Sequence, residues 1–446
     1  MLKRKIEKEI YDWIENGKNA LLIDGARQVG KTYTIRHCLE AKKQDYIELN
    51  LIQNEDALRG LAVSKSVEDL KINISTIVSR ELIPGKTIIF IDEVQKLDEI
   101  VTFIKFWVDE GSFRYILSGS LLGIELKALR SAPVGYVSEL KMFPMNFEEF
   151  MEASGVTDTV ITHLKDCFKV KKPVGEVVHN KMMTLFKRYL VVGGMPQAVN
   201  EYVESGNISR VGEIQRDIIN YYKKDFTKYE NEDKSLMLTN VYDLIPAELL
   251  KQNRRFNYAD IKKGLRFESV ENSFVWLYKA GVVLHAFNAT EPSVGLKMNE
   301  KSSLVKLYYS DVGLLTYVYG EAMRKNILFE DKALNLGGVY ENVVLQELVS
   351  CGHEVYYYNS KKLGELDFLM EYGVSPLPIE VKSGKDYYVH SAMNNVLKAE
   401  DFGIKEAVVF TGYDLSVIEN ITYYPIYMAG FLREDNIDTI VEPISF

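Results

Sequence analysis

Short apolar runs alternate with amphipathic stretches along the first 150 residues of the chain. The runs lie at residues 21–23, 46–51, 87–95, 113–120 and 136–143. A short apolar run bounded by polar residues is typical of a buried strand, and the stretches between these runs have helical spacing. We therefore expect an α/β fold, with a mainly parallel sheet and helices on both of its faces. Ligands of such sheets bind at the carboxyl ends of the strands.

The middle of the chain has a different pattern. Residues 150–230 are polar with helical spacing, and Gly193 and Gly194 before Pro196 indicate a turn. Arg188, just before this turn, is either a phosphate contact from a helical lid or an ordinary surface arginine.

Residues 257–287 give one helical stretch, a break, a second helical stretch and a strand, the order of a helix-turn-helix module. The second stretch exposes Glu268, Glu271 and Asn272, and acidic residues repel a phosphate backbone. A protein-interaction or packing role is therefore favoured over DNA reading. The aromatic run FVWLY is interpreted as core rather than as a surface on which bases stack.

A phosphate-binding loop is indicated by ALLIDGARQVGKT, residues 20–32. The spacing of its glycines from the final Lys-Thr pair matches a P-loop between a strand and a helix. The backbone N–H groups of such a loop form a concave site for phosphate oxygens. Lys31 is expected to reach the β- and γ-phosphates, and the Thr32 hydroxyl to bind Mg²⁺. The predicted nucleotide contacts are Gly25, Ala26, Arg27, Gln28, Val29, Gly30, Lys31, Thr32 and Tyr33.

Two acids end the apolar run TIIFIDEVQ, residues 87–95. Asp92 is placed to hold Mg²⁺, and Glu93 to act as general base on the attacking water. The run FRYILSGS, residues 113–120, ends in hydroxyls, and Ser118 or Ser120 could sense the γ-phosphate from a strand lying between the first two. The predicted catalytic residues are Lys31, Glu93 and Ser118, and the predicted magnesium ligands are Thr32 and Asp92.

A second group of charged residues lies near the C-terminus. The strands GELDFLM and PIEVKSGK, separated by a turn with Gly373, predict a hairpin that sets Asp367 beside Glu380 and Lys382. The amphipathic stretch GGVYENVVLQELV adds Glu341. Two carboxylates suit a hard cation such as Mg²⁺ or Mn²⁺, and a lysine can orient its water. This arrangement resembles the PD-(D/E)xK nuclease fold. The alternative is a structural relic in which Glu380 and Lys382 form an internal salt bridge.

Bulk composition narrows the class of protein. A chain of 446 residues is too long for one core, so two to four domains are expected. The net charge of −9 does not indicate nucleic-acid binding, although a local basic patch would allow it. Three separated cysteines and the absence of any apolar run near ~20 residues predict a cytoplasmic protein that does not enter the membrane.

The runs FIDEVQKL, SGSLLGI, PVGYVSELKMFPMNFEEF and YLVVGGMPQAV resemble a family of predicted prokaryotic AAA-type ATPases with an endonuclease-like C-terminal domain. The resemblance implies ATP rather than GTP. It also implies four parts: a P-loop AAA-type core at 1–150, a helical lid at 151–230, a winged-helix-like module at 231–325, and a restriction-endonuclease-like α/β domain at 326–446. Tyr136 stands where many relatives carry a basic residue, so an arginine finger cannot be carried over, and Arg130 is a weak substitute.

The function expected from these features is a Mg²⁺-dependent, ATP-hydrolysing switch or motor coupled to the nuclease-like domain. One alternative is a metal-dependent nuclease acting on DNA or RNA and gated by ATP, with a second Mg²⁺ or Mn²⁺ held by the C-terminal residues. Another is a non-catalytic signalling switch. A protein partner is favoured, and a homo-oligomer is left open.

Overall fold

A computed structural model describes residues 2–64, 66–97, 100–120, 135–229, 232–329 and 336–433. The chain forms two compact units. Unit 1 comprises the described residues of 1–144 with Val275–Val282, and unit 2 comprises the described residues of 145–274 and 283–446. None of the helices in the described ranges has both the length and the apolar character needed to cross a membrane.

Unit 1 is built on five parallel strands, named here the P-loop sheet. In spatial order the strands are Tyr46–Asn50, Ile88–Asp92, Arg114–Gly119, Ala20–Asp24 and Val137–Lys141. The strands Ala20–Asp24 and Ile88–Asp92 are buried along their whole length. This fits their unbroken apolar sequence, because a central parallel strand is covered on both faces. The α/β prediction is confirmed, as is the position of the strand that carries Ser118 between the other two.

Helices cover the P-loop sheet. The helix Lys31–Ala41 follows the P-loop directly, as the sequence predicts. Trp107 and Tyr115 belong to the large apolar core that packs against the sheet. The other helices of this unit are Glu7–Asn16, Glu55–Val63, Val67–Val78 and Ile100–Glu110, with a 3₁₀ turn at Val94–Lys96.

The first part of unit 2 is helical, as predicted for residues 150–230. The predicted turn is also confirmed, because one helix ends at Val192 and the next begins at Pro196. A Cβ on Gly194 would lie 1.9 Å from the Met145 carbonyl oxygen, so glycine alone fits there. The helices are Phe147–Ala153, Asp158–Val170, Glu176–Val192, Pro196–Ser205, Ile208–Tyr229 and Glu232–Leu250.

The helix-turn-helix prediction is wrong in its first half. Residues 257–270 form two 3₁₀ turns instead of a helix, Tyr258–Asp260 and Phe267–Ser269. Gly264 at φ +84° interrupts a helical backbone, and the rings of Tyr258 and Phe267 pack against one another with centroids 5.9 Å apart. The packing of these two rings is therefore found where the sequence predicted a helix.

The second half of that prediction is confirmed by a helix at Glu271–Lys279 followed by a strand at Val283–Ala289. Phe274, Trp276 and Leu277 are buried, so the aromatic run is core, as interpreted. With only one of its two helices present, this segment does not have the element order used by DNA-reading helix-turn-helix modules.

Unit 2 also contains a mixed eight-stranded sheet. The predicted hairpin is present, with Gly364–Tyr372 and Ser375–Lys382 antiparallel. The first two strands of the sheet in chain order precede residue 325, so the sheet spans the boundary predicted between residues 325 and 326. In spatial order the strands are Ser416–Ile418, Ile421–Pro425, Ala407–Thr411, Ser375–Lys382, Gly364–Tyr372, Val355–Ser360, Val283–Ala289 and Glu300–Tyr309.

Helices and turns accompany this sheet. Gly337–Ser350 is a helix, as predicted for the segment that carries Glu341, and it is buried along most of its length. The remaining elements are the helices Val312–Val318, Glu321–Phe329 and Ser391–Lys398 and the 3₁₀ turns Leu296–Asn299, Glu400–Phe402 and Ile426–Phe431.

Candidate functional site

The P-loop joins a buried strand to a helix at the carboxyl edge of the P-loop sheet. Gly30 is the N-cap of the helix Lys31–Ala41 and has φ +97°, a conformation that favours glycine. A Cβ on Gly25 would lie 2.2 Å from the Met142 carbonyl oxygen, so no other residue fits at the start of the loop. Both glycines are thus required by the backbone path that brings the helix N-terminus to this edge.

The predicted nucleotide contacts of the loop differ in environment. Val29 is fully buried, so its side chain belongs to the core, and its carbonyl accepts a 2.8 Å hydrogen bond from Arg4. Arg4 also donates to the Phe143 carbonyl at 2.6 Å and so ties the loop to the segment after the last strand. Tyr33 is 54% exposed on the first turn of the helix. The sequence analysis missed Arg4.

Lys31 is buried at the base of the loop. Its ammonium group donates to the carbonyls of Gly25 and Ala26 at 2.7 and 2.8 Å. Burial lowers the pKa of Lys31 to about 8, although the charges of Asp24 and Glu93 oppose the shift. An ammonium has three donor hydrogens, so one remains for a phosphate oxygen when the group is charged.

Asp92 is the centre of a hydrogen-bond network. Its Oδ2 accepts from the Thr32 hydroxyl and from the Asn50 amide, each at 3.0 Å, and its Oδ1 accepts from the Ser118 hydroxyl. These side chains meet because the strands are in register, with Asn50 beside Asp92 and Asp92 beside Ser118. The structure therefore brings the two predicted magnesium ligands together. Asn50 was missed, although a polar residue ending an adjacent strand was the available signal.

Glu93 follows Asp92 with φ +58°, an uncommon conformation for a residue other than glycine. Strained backbone of this kind is concentrated at functional sites. The half-buried carboxylate of Glu93 accepts a hydrogen bond from the Gln95 side-chain amide, a second residue that the sequence analysis missed. The carboxylate is thus held in place while part of it stays accessible.

The two candidate serines have separate partners. Ser118 donates to Asp92, whereas the Ser120 hydroxyl accepts from the Arg27 Nε–H at 3.2 Å. Ser118 is thus the serine joined to the acidic pair, and Ser120 is joined to the loop. Arg130 lies outside the described residues. Arg188 is exposed on the helix Glu176–Val192.

A distant segment of the chain contacts the P-loop within unit 1. Gly281 has φ +73°, and a Cβ there would lie 2.9 Å from the backbone nitrogen of Ala26. Real Cβ atoms essentially never approach so closely. No pattern in the sequence indicated this contact, since 255 residues (281 − 26) separate the two positions.

The predicted C-terminal residues lie together in unit 2. Asp367 accepts a 2.8 Å hydrogen bond from the Val381 N–H, across the hairpin. The Lys382 ammonium lies 2.9 Å from a Glu380 carboxylate oxygen, and Glu380 is buried. Glu341 shares this neighbourhood, since the negative charge of Asp367 acts on both Glu341 and Glu380.

Two cations that the sequence analysis missed complete this cluster. Arg254 donates to one oxygen of Glu341, and the Tyr308 hydroxyl donates to the other at 3.1 Å. Lys306 is fully buried, 2.8 Å from a Glu365 carboxylate oxygen. A single lysine inside the apolar strand SLVKLYY was the signal for Lys306, whereas nothing distinguished Arg254. We call Arg254, Lys306, Glu341, Asp367, Glu380 and Lys382 the carboxylate cluster.

Burial controls protonation in the carboxylate cluster. Burial raises the pKa of Glu341 and of Glu380 to about 8 each, and the negative charge of Asp367 adds to both shifts. Burial also acts to raise the pKa of Asp367, but Lys306 and the Val381 N–H outweigh it and lower that pKa. Burial therefore favours the protonated form of Glu341 and Glu380, whereas the ionised form of Asp367 is favoured by its neighbours.

A second metal ion does not fit the carboxylate cluster. Glu341 is matched with Arg254 and Glu380 with Lys382, so cations of the chain take the place that a metal would need. Throughout the described ranges, no group of three or more His, Cys, Asp or Glu side chains is arranged to hold a metal ion. The internal Glu380–Lys382 salt bridge of the alternative interpretation is present.

Three family models match the chain in succession. An AAA domain matches residues 17–151, a domain of unknown function, DUF8612, matches 183–325, and another, DUF4143, matches 336–428. No curated protein matches the chain. The chain therefore carries an AAA-type P-loop ATPase domain followed by these two domains. An AAA domain implies ATP binding with Mg²⁺ and nucleoside-triphosphate hydrolysis.

The chain also matches several solved structures at low identity and with low TM-scores. The Walker-type ATPase of Pyrococcus abyssi is 16% identical and covers 72% of this chain and 96% of its own, with a TM-score of 0.44. The Thermotoga maritima RuvB Holliday junction branch migration motor is 16% identical, with coverages of 63% and 88% and a TM-score of 0.28. Drosophila ORC bound to DNA is 15% identical, with coverages of 67% and 89% and a TM-score of 0.28. These values are too low to bear on function.

Proposed function

We propose that this protein hydrolyses ATP with Mg²⁺ at the P-loop and uses the reaction to switch or drive unit 2. One observation carries the proposal: the Asp92 carboxylate lies within hydrogen-bond distance of Thr32 and Ser118 at the edge where Lys31 begins its helix. Glu93 stands next to this group. A cation ligand, a phosphate-binding lysine and a candidate base therefore share one edge of the sheet.

The residues present fit Mg²⁺. The Thr32 hydroxyl oxygen and the Asp92 Oδ2 are 3.0 Å apart, and oxygen atoms are the ligands that Mg²⁺ prefers. A protein needs to supply only a few ligands to Mg²⁺, such as one carboxylate and one hydroxyl, because the ion keeps several waters and also binds substrate phosphates. Bound there, Mg²⁺ would offset the negative charge of the phosphates.

Each of the other residues has a separate role in the proposal. Lys31 donates to the phosphate oxygens, and the backbone from Gly25 to Tyr33 surrounds them. Glu93 accepts the proton of the attacking water, since its carboxylate is held by Gln95 and half-buried. Ser118 fixes the orientation of Asp92 and can respond to the γ-phosphate through it.

The test is a pair of variants with a matched control. Lys31→Ala should abolish ATP binding, measured by calorimetry, whereas Glu93→Gln should bind ATP and not turn it over. Glu9→Gln, at an exposed glutamate of the first helix, should turn ATP over at the rate of the unmodified protein. Unchanged turnover in Glu93→Gln would refute the assignment. Tight ATP binding by the unmodified protein without turnover would instead support the signalling switch.

The proposal keeps four parts: an ATPase core at 1–150, a helical lid at 151–230, a module with winged-helix character at 231–325, and a nuclease-like part at 326–446. The helices between Phe147 and Tyr229 support the lid. Support for the third part is limited to the helix Glu271–Lys279 and the strand that follows it. The exposed Glu268 and Glu271 favour a protein partner over DNA.

The nuclease-like character of the last part is proposed for its architecture alone. A helix carrying Glu341 and a hairpin carrying Asp367, Glu380 and Lys382 support it. We assign it no cleavage step, because its carboxylates are matched by cations of the chain. DNA and RNA incubated with the protein and Mg²⁺ or Mn²⁺ should stay intact. Cleavage that Asp367→Ala or Lys382→Ala abolishes would contradict this.

A further inference from the structure

A cavity of about 770 Å³ lies in unit 2, and its lining includes no residue of the P-loop or of the carboxylate cluster. Its walls come from the helices Ile208–Tyr229, Val312–Val318 and Glu321–Phe329. Pockets of this size accommodate small ligands. Leu328, Ile219 and the exposed side chains of Val318 and Phe329 give the cavity an apolar wall.

The cavity is also lined by Arg324, whose guanidinium lies over the Tyr317 ring, 5.8 Å from its centroid, and feels the charge of Glu321 without forming an ion pair with it. Arg324 is only 6% exposed, and burial lowers its pKa. Its Nε–H has no hydrogen-bond acceptor, and its nearest polar contact is a 3.3 Å bond from Nη2 to the Ile208 carbonyl. No carboxylate among the described residues forms an ion pair with it. A buried unpaired charge is costly, so such a group calls for an anion.

The other cations of the cavity wall already have partners. Lys325 lies 2.8 Å from Glu321, Lys223 lies 2.6 Å from Asp243, and Arg216 lies next to Asp217. Among the described cations of the wall, Arg324 is therefore the one without an ion-pair partner. This distinguishes the cavity from an ordinary solvated surface, where cations are screened by water.

The backbone makes room for the guanidinium. A Cβ on Gly212 would lie 2.7 Å from Nη1 of Arg324. Glycine inside a helix lowers helical stability. The helix Ile208–Tyr229 thus has an unfavourable residue at a position where Arg324 approaches it.

We infer that this cavity is a binding site for an amphipathic oxyanion, with Arg324 binding the carboxylate or phosphate group and the apolar wall binding the hydrocarbon part. The guanidinium fork matches carboxylate and phosphate oxygens, which is why arginine recognises both. No residue of the P-loop lines this cavity, and the inference does not rest on the proposed ATP hydrolysis.

The experiment uses three probes with the same alkyl chain: octanoate, octyl phosphate and octanol. Calorimetry with the full chain should show one equivalent of octanoate or octyl phosphate bound, and octanol should bind at least about tenfold more weakly. The tighter of the two anions identifies the preferred headgroup. Binding of octanol with equal affinity, or of neither anion at millimolar concentration, would overturn the inference.

Two variants and a control locate the site. Arg324→Met should weaken anion binding about tenfold or more and should keep the protein folded, because it removes an unpaired buried charge. Gly212→Ala should have a similar effect by displacing the guanidinium. Lys181→Met, at an exposed lysine that does not line the cavity, should bind as the unmodified protein does. Equal binding by Arg324→Met and the unmodified protein would also overturn the inference.

Discussion

The P-loop edge and the carboxylate cluster both gather acids beside basic residues, but they neutralise their charges differently. Asp92 is held by the neutral donors Thr32, Asn50 and Ser118. In the carboxylate cluster, Glu341 is paired with Arg254 and Glu380 with Lys382. Neutral donors orient a carboxylate and leave its charge for a cation, whereas an ion pair consumes that charge. The first arrangement suits a metal-dependent reaction, and the second suits a structural role.

The largest effect on ATP turnover is expected from removing the carboxylate of Asp92, which the neutral donors orient. Asp92→Ala should lower ATP turnover by about 10²–10³-fold, since a bound metal supplies several kcal/mol of charge stabilisation. Asn50→Ala should lower it less, because it removes a neutral donor and leaves the charge. Steady-state turnover measures both. Asp56→Ala, at an exposed helix start, is the matched control and should have no effect. Equal losses of ATP turnover in Asp92→Ala and Asn50→Ala would contradict the view that the charge of Asp92 is kept for a cation.

The next largest effect is expected on the free energy of unfolding of unit 2. Above about pH 8, where Glu341 is ionised, Arg254→Ala should cost about 3–5 kcal/mol of the free energy of unfolding of unit 2, because it leaves that buried carboxylate without its counter-charge. Hydrogen exchange of the buried amides in Gly337–Ser350 measures this cost. Arg255→Ala removes the neighbouring arginine, whose side chain donates a hydrogen bond to Asn253, and should change the free energy of unfolding by no more than about 0.5 kcal/mol.

A double variant tests whether the loss of stability in Arg254→Ala comes from the unpaired charge of Glu341. Glu341→Gln combined with Arg254→Ala should recover part of the loss, since a neutral amide needs no counter-charge. If Arg254→Ala proves no more harmful than Arg255→Ala, the carboxylate cluster is not held together by charge pairing.

These two regions were not equally predictable from sequence. The P-loop sheet follows from unbroken apolar runs, and strand register then brings Asp92 beside Ser118, so local pattern fixes both the fold and the site. The carboxylate cluster depends on Arg254, which is 87 residues from Glu341. A contact of that separation leaves no periodic signal, because it is made by tertiary packing alone.

The helix predicted at residues 257–270 does not form, which shows that helical spacing alone is not sufficient to predict a helix. Its helical spacing was present, but Gly264 and the ring contacts of Tyr258 and Phe267 outweighed that preference. Spacing predicts a helix only where tertiary contacts agree with it. The same limit explains why Gly281 was missed, since its role is visible only beside Ala26.

The carboxylate cluster should also give unit 2 a distinctive pH dependence. The pKa values of Glu341 and Glu380 are raised from near 4.5 to about 8, so the folded state keeps protons that the unfolded state releases in this window. Stability from these groups is complete below about pH 4.5 and falls as pH rises toward 8. The slope is at most about 1.4 kcal/mol per pH unit for each proton.

Urea unfolding over a pH series measures this slope. Glu380→Gln should make the curve shallower, because a glutamine does not titrate, whereas Glu406→Gln, at an exposed glutamate, should leave it unchanged. A stability that rises between about pH 5 and 8 in the unmodified protein would contradict the assigned direction.

The smallest effect concerns the contact between Gly281 and the P-loop. Gly281→Ala and Gly264→Ala both place alanine at a positive φ, +73° and +84°, so each should cost about 1 kcal/mol of stability. The two differ in space, because a Cβ at Gly264 meets nothing within 4 Å, whereas one at Gly281 meets the Ala26 nitrogen at 2.9 Å. Only Gly281→Ala should therefore displace the loop and weaken ATP binding, by about fivefold or roughly 1 kcal/mol. Calorimetry measures the ATP affinity of each variant. Equal affinities in the two variants would mean that Gly281 is needed only for the local backbone turn and not for the position of the P-loop.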